Sequence, residues 1–371
     1  MRPAAFILLP IFLWNVTKHP YWTLDAGKSK VAACCLIVAG RAGEMAYRFK
    51  LQEPLAQEAR RVALEQIDMA EEKLASKDDV AGAIHDARRC LKRLRALIRL
   101  VRPALGDGAY RRETERVAGA GRLLAGARDV HVMRLTASKL ESRFGPLPDG
   151  AGKRLQAMLT ASAAAIPSDT VKDGRAQALK RLKQTRKFFA GHALDGVSVE
   201  ALAEGLERCY RKGRRAFREA FRKPSDESFH AWRKSVQRHW RHMQLISRAW
   251  PEALSARASE AKELSRLLGE DHDLAVLSAH VAQAAPESLT REDKAAINRL
   301  CRSCQAEIRA QAEPRGTRLF AEPAEELRRR IEAYWSSACR LAECQPEERP
   351  PPTRKPPATE SRMRRRKAAT G

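Results

Sequence analysis

From Pro54 to Cys344 apolar residues recur every three or four positions, Gly and Pro gather at the ends of these runs, and no stretch sustains period-two alternation. The pattern predicts an all-α chain with helices over 54–75, 78–102, 108–143, 151–166, 171–192, 198–223, 226–249, 251–284, 290–312 and 322–344. Gly106, Gly145, Pro146, Pro148, Pro167, Pro224, Pro251 and Pro286 fall between or at the ends of them. Outside this region the pattern changes. The run Ala4–Trp14 is apolar but far short of the roughly 20 residues a spanning helix needs, and Lys18, Asp25, Lys28 and Lys30 interrupt any continuation. Residues 1–44 are therefore expected to be an extension, with Met45 as the working start, and 345–371, with its prolines and Arg364–Lys367, a disordered basic tail.

Two blocks repeat at nearly one offset. HDARRCLKRLR from His85 matches HAWRKSVQRHW from His230, and LLAGARDVHVM from Leu123 matches LLGEDHDLAVL from Leu267, at offsets of 145 and 144. Two blocks in register predict duplicated halves, about 45–195 and 196–344, each a helical bundle, arranged as one pseudo-symmetric domain.

Charge narrows the partner. With 70 Lys and Arg against 45 Asp and Glu, the net charge is +25; the two ends contribute +3 and +5, leaving +17 on the middle. A basic folded region points to a polyanion. Only 6% of residues are aromatic, too few to lay stacking rings along a single-stranded nucleic acid, so phosphate is favoured over bases as the group recognised.

The cations are ordered on helices. At 3.6 residues per turn His85, Arg88, Arg89, Lys92, Arg95, Arg99 and Arg102 share one face, opposite Ala87, Leu91, Leu94 and Ile98. In the second half His230, Arg233, Lys234 and Arg241 lie opposite Trp232, Val236, Met243 and Ile246, and Arg238 adds a further cation. No acid stands between Arg88 and Arg102. Like charges at these spacings repel, so the stripe predicts a negative partner from outside the helix. Two more helices carry cations of unassigned facing: Lys180, Arg181, Lys183, Arg186 and Lys187, and Arg208, Arg211, Lys212, Arg214, Arg215, Arg218 and Arg222.

The two remaining motifs are Arg128-Asp129 and His272-Asp273, equivalent across the repeat. An HD pair suits a metal-dependent phosphohydrolase only with further ligands, and a duplicated metal site would not exchange His for Arg. Asp129 and Asp273 read as carboxylates that orient Arg128, His272 or a neighbouring cation. The eight cysteines form no zinc or disulfide framework and suit reduced cytoplasmic thiols. No catalytic constellation, metal or cofactor is expected.

These blocks resemble the conserved histidine α-helical domain, CHAD. The resemblance is carried by His85-x-x-Arg88 with Lys92-Arg93-x-Arg95, by Ala125-Gly126-Ala127-Arg128-Asp129, by His230-x-Trp232-Arg233-Lys234, and by Leu268-Gly269-x-x-His272-Asp273-Leu274, within about Met45 to Cys344. It implies one compact domain of two pseudo-symmetric helical bundles around a central basic groove or pore that binds inorganic polyphosphate, often at cytoplasmic polyphosphate granules, and it adds Arg93 to the candidate residues. Other polyanions are further partners; a membrane is not. Relatives often carry a triphosphate-tunnel domain with an ExExK signature, which this sequence lacks. Gln237, where the family usually has a cation, and Trp240, opposite Arg95, depart from the pattern and predict a weaker grip by the second half. The competing readings are a nucleic-acid binder, which would need base-reading side chains on these faces, and a metal-dependent phosphohydrolase.

Overall fold

A computed structural model describes residues 47–344 except 77, 166 and 193, with the side chains of 126–129, 168 and 344 also outside the description. The described residues form eleven α-helices and no strand, so the chain is all-α. They are α1 (Leu55–Ala75), α2 (Val80–Leu100), α3 (Arg102–Leu123), α4 (Gly126–Phe144), α5 (Ala151–Ala164), α6 (Ser168–Gly191), α7 (Val199–Arg222), α8 (Asp226–Leu245), α9 (Pro251–Ala282), α10 (Arg291–Leu319) and α11 (Ala324–Cys344). Starts α7 and α8 follow those of α1 and α2 by 144 and 146 residues, close to the offsets in the sequence.

Local chemistry fixes the helices that matter most. Asp79 caps α2 by accepting from the Gly82 N–H at 3.0 Å, satisfying a donor the first turn leaves open. Ser225 and Ser228 form a reciprocal capping box at α8, with Asp226 and Glu227 favouring the positive end of its dipole.

Three boundaries differ most from the periodicity, the first being the start of α3 at Arg102 rather than 108. The helix expected over 108–143 is two, α3 and α4, separated at Leu124–Ala125. Gly119 and Gly121 weaken the helix just before the break, and Arg88 donates to the Gly121 carbonyl at 3.0 Å, which holds the last turn of α3 from outside. Helix α10 instead continues past Pro314 to Leu319. There Gly316 lets the helix lie against Phe217 and Trp232, since a Cβ would come within 2.6 Å of both rings. Packing overrides the proline.

Helices α1, α2, α3 and α6 pack together, as do α7, α8, α9 and α11, while α4 packs on both α5 and α9, and α10 packs on α9. The cores do not follow the halves. The larger contains Leu94, Leu97, Ile98 and Leu182 from the first half with Leu206, Trp232, Val236 and Trp335 from the second. The smaller joins Leu140, Leu155 and Leu159 to Leu277, Ile297 and Cys301. Helix α7 meets α2 almost backbone to backbone at Gly205, where a Cβ would fall 1.8 Å from the Leu100 carbonyl oxygen. This approach brings α2, α7 and α8 around one space. The five described cysteines, Cys90, Cys209, Cys301, Cys304 and Cys339, are all free thiols.

Candidate functional site

Helix α2 presents Lys92, Arg95, Ala96 and Arg99 to a cleft of about 200 Å³; α7 presents Lys212, and α8 presents Lys234, Gln237, Arg238 and Arg241. Seven of these nine residues are cations, and none is a carboxylate or an aromatic ring. Arg95, Arg99, Lys212, Lys234, Arg238 and Arg241 form no ion pair among the described residues.

The guanidiniums are anchored on backbone instead. Arg99 donates to the Arg95 carbonyl at 3.0 Å, Arg238 to the Lys234 carbonyl and the Ser235 hydroxyl at 2.9 Å each, and Arg241 to the Gln237 carbonyl at 2.7 Å. Arg241 is only 6% exposed, and its guanidinium also lies 4.8 Å from the centre of the Trp240 ring. The Arg95 Nε is buried without a hydrogen-bond partner.

The clustering carries an electrostatic cost. Burial, then Arg99 and Arg238, hold Arg95 down to about 10. Burial and the nearby Arg93 and Arg233 hold Arg241 down to about 10. Lys234 is lowered by burial, Arg95 and Arg238, and Arg238 by burial and Arg99. An anion entering the cleft relieves each of these strains at once.

At the start of α8 the His230 ring stacks on His272 of α9, with centroids 4.1 Å apart and planes at 24°. Burial, Lys234 and Arg233 lower His230 to about 4; burial, Arg233, His230 and Lys234 lower His272 to about 4, with Asp226 opposing. Both rings are neutral at neutral pH. Arg233 runs past Gly269 of α9, where a Cβ would make only an ordinary contact with its Nε at 3.9 Å.

The cationic stripe predicted on α2 therefore divides. Lys92, Arg95 and Arg99 reach the cleft, while four of the other candidates face elsewhere. Arg88 is spent on the Gly121 carbonyl, Arg102 pairs with Asp107 at 2.8 Å, exposed Arg89 lies 3.4 Å from Asp86, and Arg93 is buried with its guanidinium 5.3 Å from the Tyr47 ring centre. His85 is exposed at the helix start. Contrary to the expectation that only an outside partner could supply negative charge to this stripe, the cations Arg89 and Arg102 have acidic neighbours within the protein, Asp86 and Asp107. Arg128 and Asp129 lie outside the described side chains.

Asp273 lines a separate cleft of about 240 Å³ with Thr136, Lys139, Arg143 and Glu270. A further carboxylate, Asp271, which sequence reasoning missed, braces the start of α8. It accepts from Arg309 at 2.6 Å, and Arg309 and Gln305 also donate to Asp226 in the first turn of α8 at 2.6 and 3.0 Å. This network ties the start of α8 to α9 and α10. Lys212 was likewise hidden among the cations of α7. Most of those have other partners: Arg208 pairs with Glu204, Arg211 with Glu207 and Glu325, Arg222 with Glu219, and Arg214 with the Phe320 carbonyl. Lys180, Lys183, Arg186 and Lys187 line a separate cleft of about 740 Å³ along α6, where Arg186 also pairs with Asp68. Among the described residues no group of three His, Cys, Asp or Glu side chains is arranged to hold a metal ion, and no helix is long and apolar enough to cross a membrane.

Fold and site together define an all-α domain in which α2, α7 and α8 line a cationic cleft with no carboxylate in its lining. Residues 58–282 match the family model of the CHAD domain, and the chain belongs to that family. The match begins inside α1 and ends with α9; α10 and α11 lie beyond it, yet Leu319, Leu327 and Trp335 complete the larger core. A comparison with curated proteins finds no match.

Proposed function

We propose that this protein is a binding module for inorganic polyphosphate and that the α2–α7–α8 cleft is where a stretch of the chain is held. One observation carries the reading: Arg241, nine-tenths buried and without a carboxylate partner, lines a space with six other cations. A buried cation of this kind is costly unless an anion joins it. Linear polyphosphate supplies one negative charge per repeat and needs no base recognition. The absence of any aromatic ring from the lining favours it over a single-stranded nucleic acid, whose bases seek stacking partners. Association with polyphosphate granules follows from such binding.

The test compares two triple charge reversals in the full chain. Lys92→Glu, Arg95→Glu and Arg99→Glu invert one wall of the cleft, whereas Arg364→Glu, Arg365→Glu and Arg366→Glu change the net charge equally in the tail. The first should abolish polyphosphate binding and the second weaken it modestly; equal losses would reduce the reading to diffuse basicity. Incubation of the wild type with polyphosphate and Mg²⁺ should release no orthophosphate, and sustained release would make the protein a hydrolase.

A further inference from the structure

Two cationic walls face each other across the cleft. Arg95 is lowered partly by Arg238, and Lys234 partly by Arg95, so in the empty protein α2 and α8 repel. Two sets of contacts join the helices behind the charges. Fully buried His242 brings its Nε2 to 3.0 Å from the carbonyl oxygen of Ala96, itself a lining residue, across 146 positions of sequence. A carbonyl only accepts, so Nε2 carries the proton. The segment before α1 makes a second tie: the Tyr47 hydroxyl donates to the Arg93 carbonyl on α2 and the Phe49 N–H to the Leu245 carbonyl on α8, both at 2.8 Å.

We propose that His242 is a positioning residue of the cleft, fixing the separation of α2 and α8 against their mutual repulsion and so setting the spacing of the anion contacts, with Tyr47–Phe49 as its auxiliary staple. The importance of that spacing for binding rests on the polyphosphate reading; the mechanical role does not. The ring is surrounded by Arg238, Arg99 and Arg241, with His239 close by. Its Nδ1 is buried without a partner, an unfavourable feature that a residue serving only to fill space would not carry. What the imidazole provides in return is a rigid donor that stays uncharged among cations.

Salt separates this role from ordinary packing. Repulsion between the walls is screened at high ionic strength, whereas loss of a packing contact is not. Urea unfolding of the full chain is measured at low and high NaCl, without polyanion, for wild type, His242→Leu, His242→Gln and Tyr47→Phe. The stability deficit of His242→Leu relative to wild type should be smallest at low salt, where the unclamped walls gain most by relaxing apart, and grow at high salt, where that relief is screened; His242→Gln, which retains an N–H donor, should recover much of it. Tyr47→Phe, which deletes one hydroxyl and keeps the ring, should show a smaller deficit with the same salt trend and decides the matter if His242→Leu does not fold. Deficits independent of salt in His242→Leu and Tyr47→Phe would overturn the proposal. In parallel, long-chain sodium polyphosphate should bind His242→Leu about tenfold more weakly than wild type and His242→Gln nearly as well; equal affinity of all three would remove His242 from the site. If wild type itself fails to bind, the functional reading falls and the salt series still judges the clamp.

Discussion

Replacing Arg241 with Met separates a cation kept for a ligand from one kept for the fold. The substitution retains an unbranched apolar stem against Trp240 and deletes only the charged head. In the empty protein that head is held from the usual guanidinium range down to about 10; at about 1.4 kcal/mol per decade, its burial costs on the order of 3 kcal/mol. Its cation–π contact with Trp240 returns up to about 2 kcal/mol when desolvated, and its hydrogen bond to Gln237 about 1.5–3 kcal/mol. These nearly cancel. Arg241→Met should therefore change the stability of the unliganded protein by less than about 2 kcal/mol, an outcome known for buried ionic groups exchanged for apolar ones. Binding should respond differently. A charge-assisted phosphate contact is worth roughly 1.5–3 kcal/mol, so polyphosphate affinity should fall about 10- to 100-fold, and the slope of log affinity against log salt should flatten by about 0.7 for the one counterion no longer released. Urea unfolding and titration of labelled polyphosphate at several salt concentrations measure both. A loss of stability above about 4 kcal/mol with unchanged affinity would make Arg241 a structural cation and refute the reasoning.

Gln237→Lys adds an eighth cation to the cleft lining and should tighten polyphosphate binding by on the order of 1 kcal/mol; unchanged or weaker affinity at low salt would mean that this part of α8 does not meet the ligand. His242 is held at about 3 by burial, below its value near 6.5 in the unfolded chain. It is neutral in both states at pH 7, and below pH 6.5 the unfolded chain takes up the proton first. The empty protein should thus lose about 2 kcal/mol from this residue between pH 6.5 and 5, and urea unfolding of His242→Gln over the same range should show a smaller loss. His230 and His272, both near 4 when empty, gain protons more readily beside a bound polyanion, so polyphosphate affinity should rise from pH 7 to 5 by titration; an affinity that falls would place the ligand away from the stacked pair.

The helical class and the cleft-facing triplet Lys92, Arg95 and Arg99 were legible because both depend on a 3.6-residue period. What periodicity cannot encode is which members of a stripe are satisfied from afar. Arg88 finds Gly121, Arg102 finds Asp107 and Arg93 packs on Tyr47, each determined by how other elements cross α2. Lys212 is indistinguishable in sequence from Arg211 or Arg215; it reaches the cleft because Gly205 lets α7 approach α2 so closely. Asp271 was overshadowed by the more conspicuous His272-Asp273, and its role depends on Arg309, 38 residues away. Trp240 read as a missing cation. In the structure its ring supports Arg241, which lines the cleft, and the second half contributes four cations, Lys212, Lys234, Arg238 and Arg241, besides Gln237.

The central claim is that phosphate chains, rather than polyanions in general, suit this cleft. Fluorescently labelled polyphosphate bound to the full chain, displaced by unlabelled polyphosphate, DNA, RNA or ATP at matched phosphate concentration and physiological salt, tests it most directly. The account predicts that unlabelled polyphosphate displaces the probe at far lower concentration than any of the others. Displacement by DNA or RNA as effective as that by polyphosphate would contradict it.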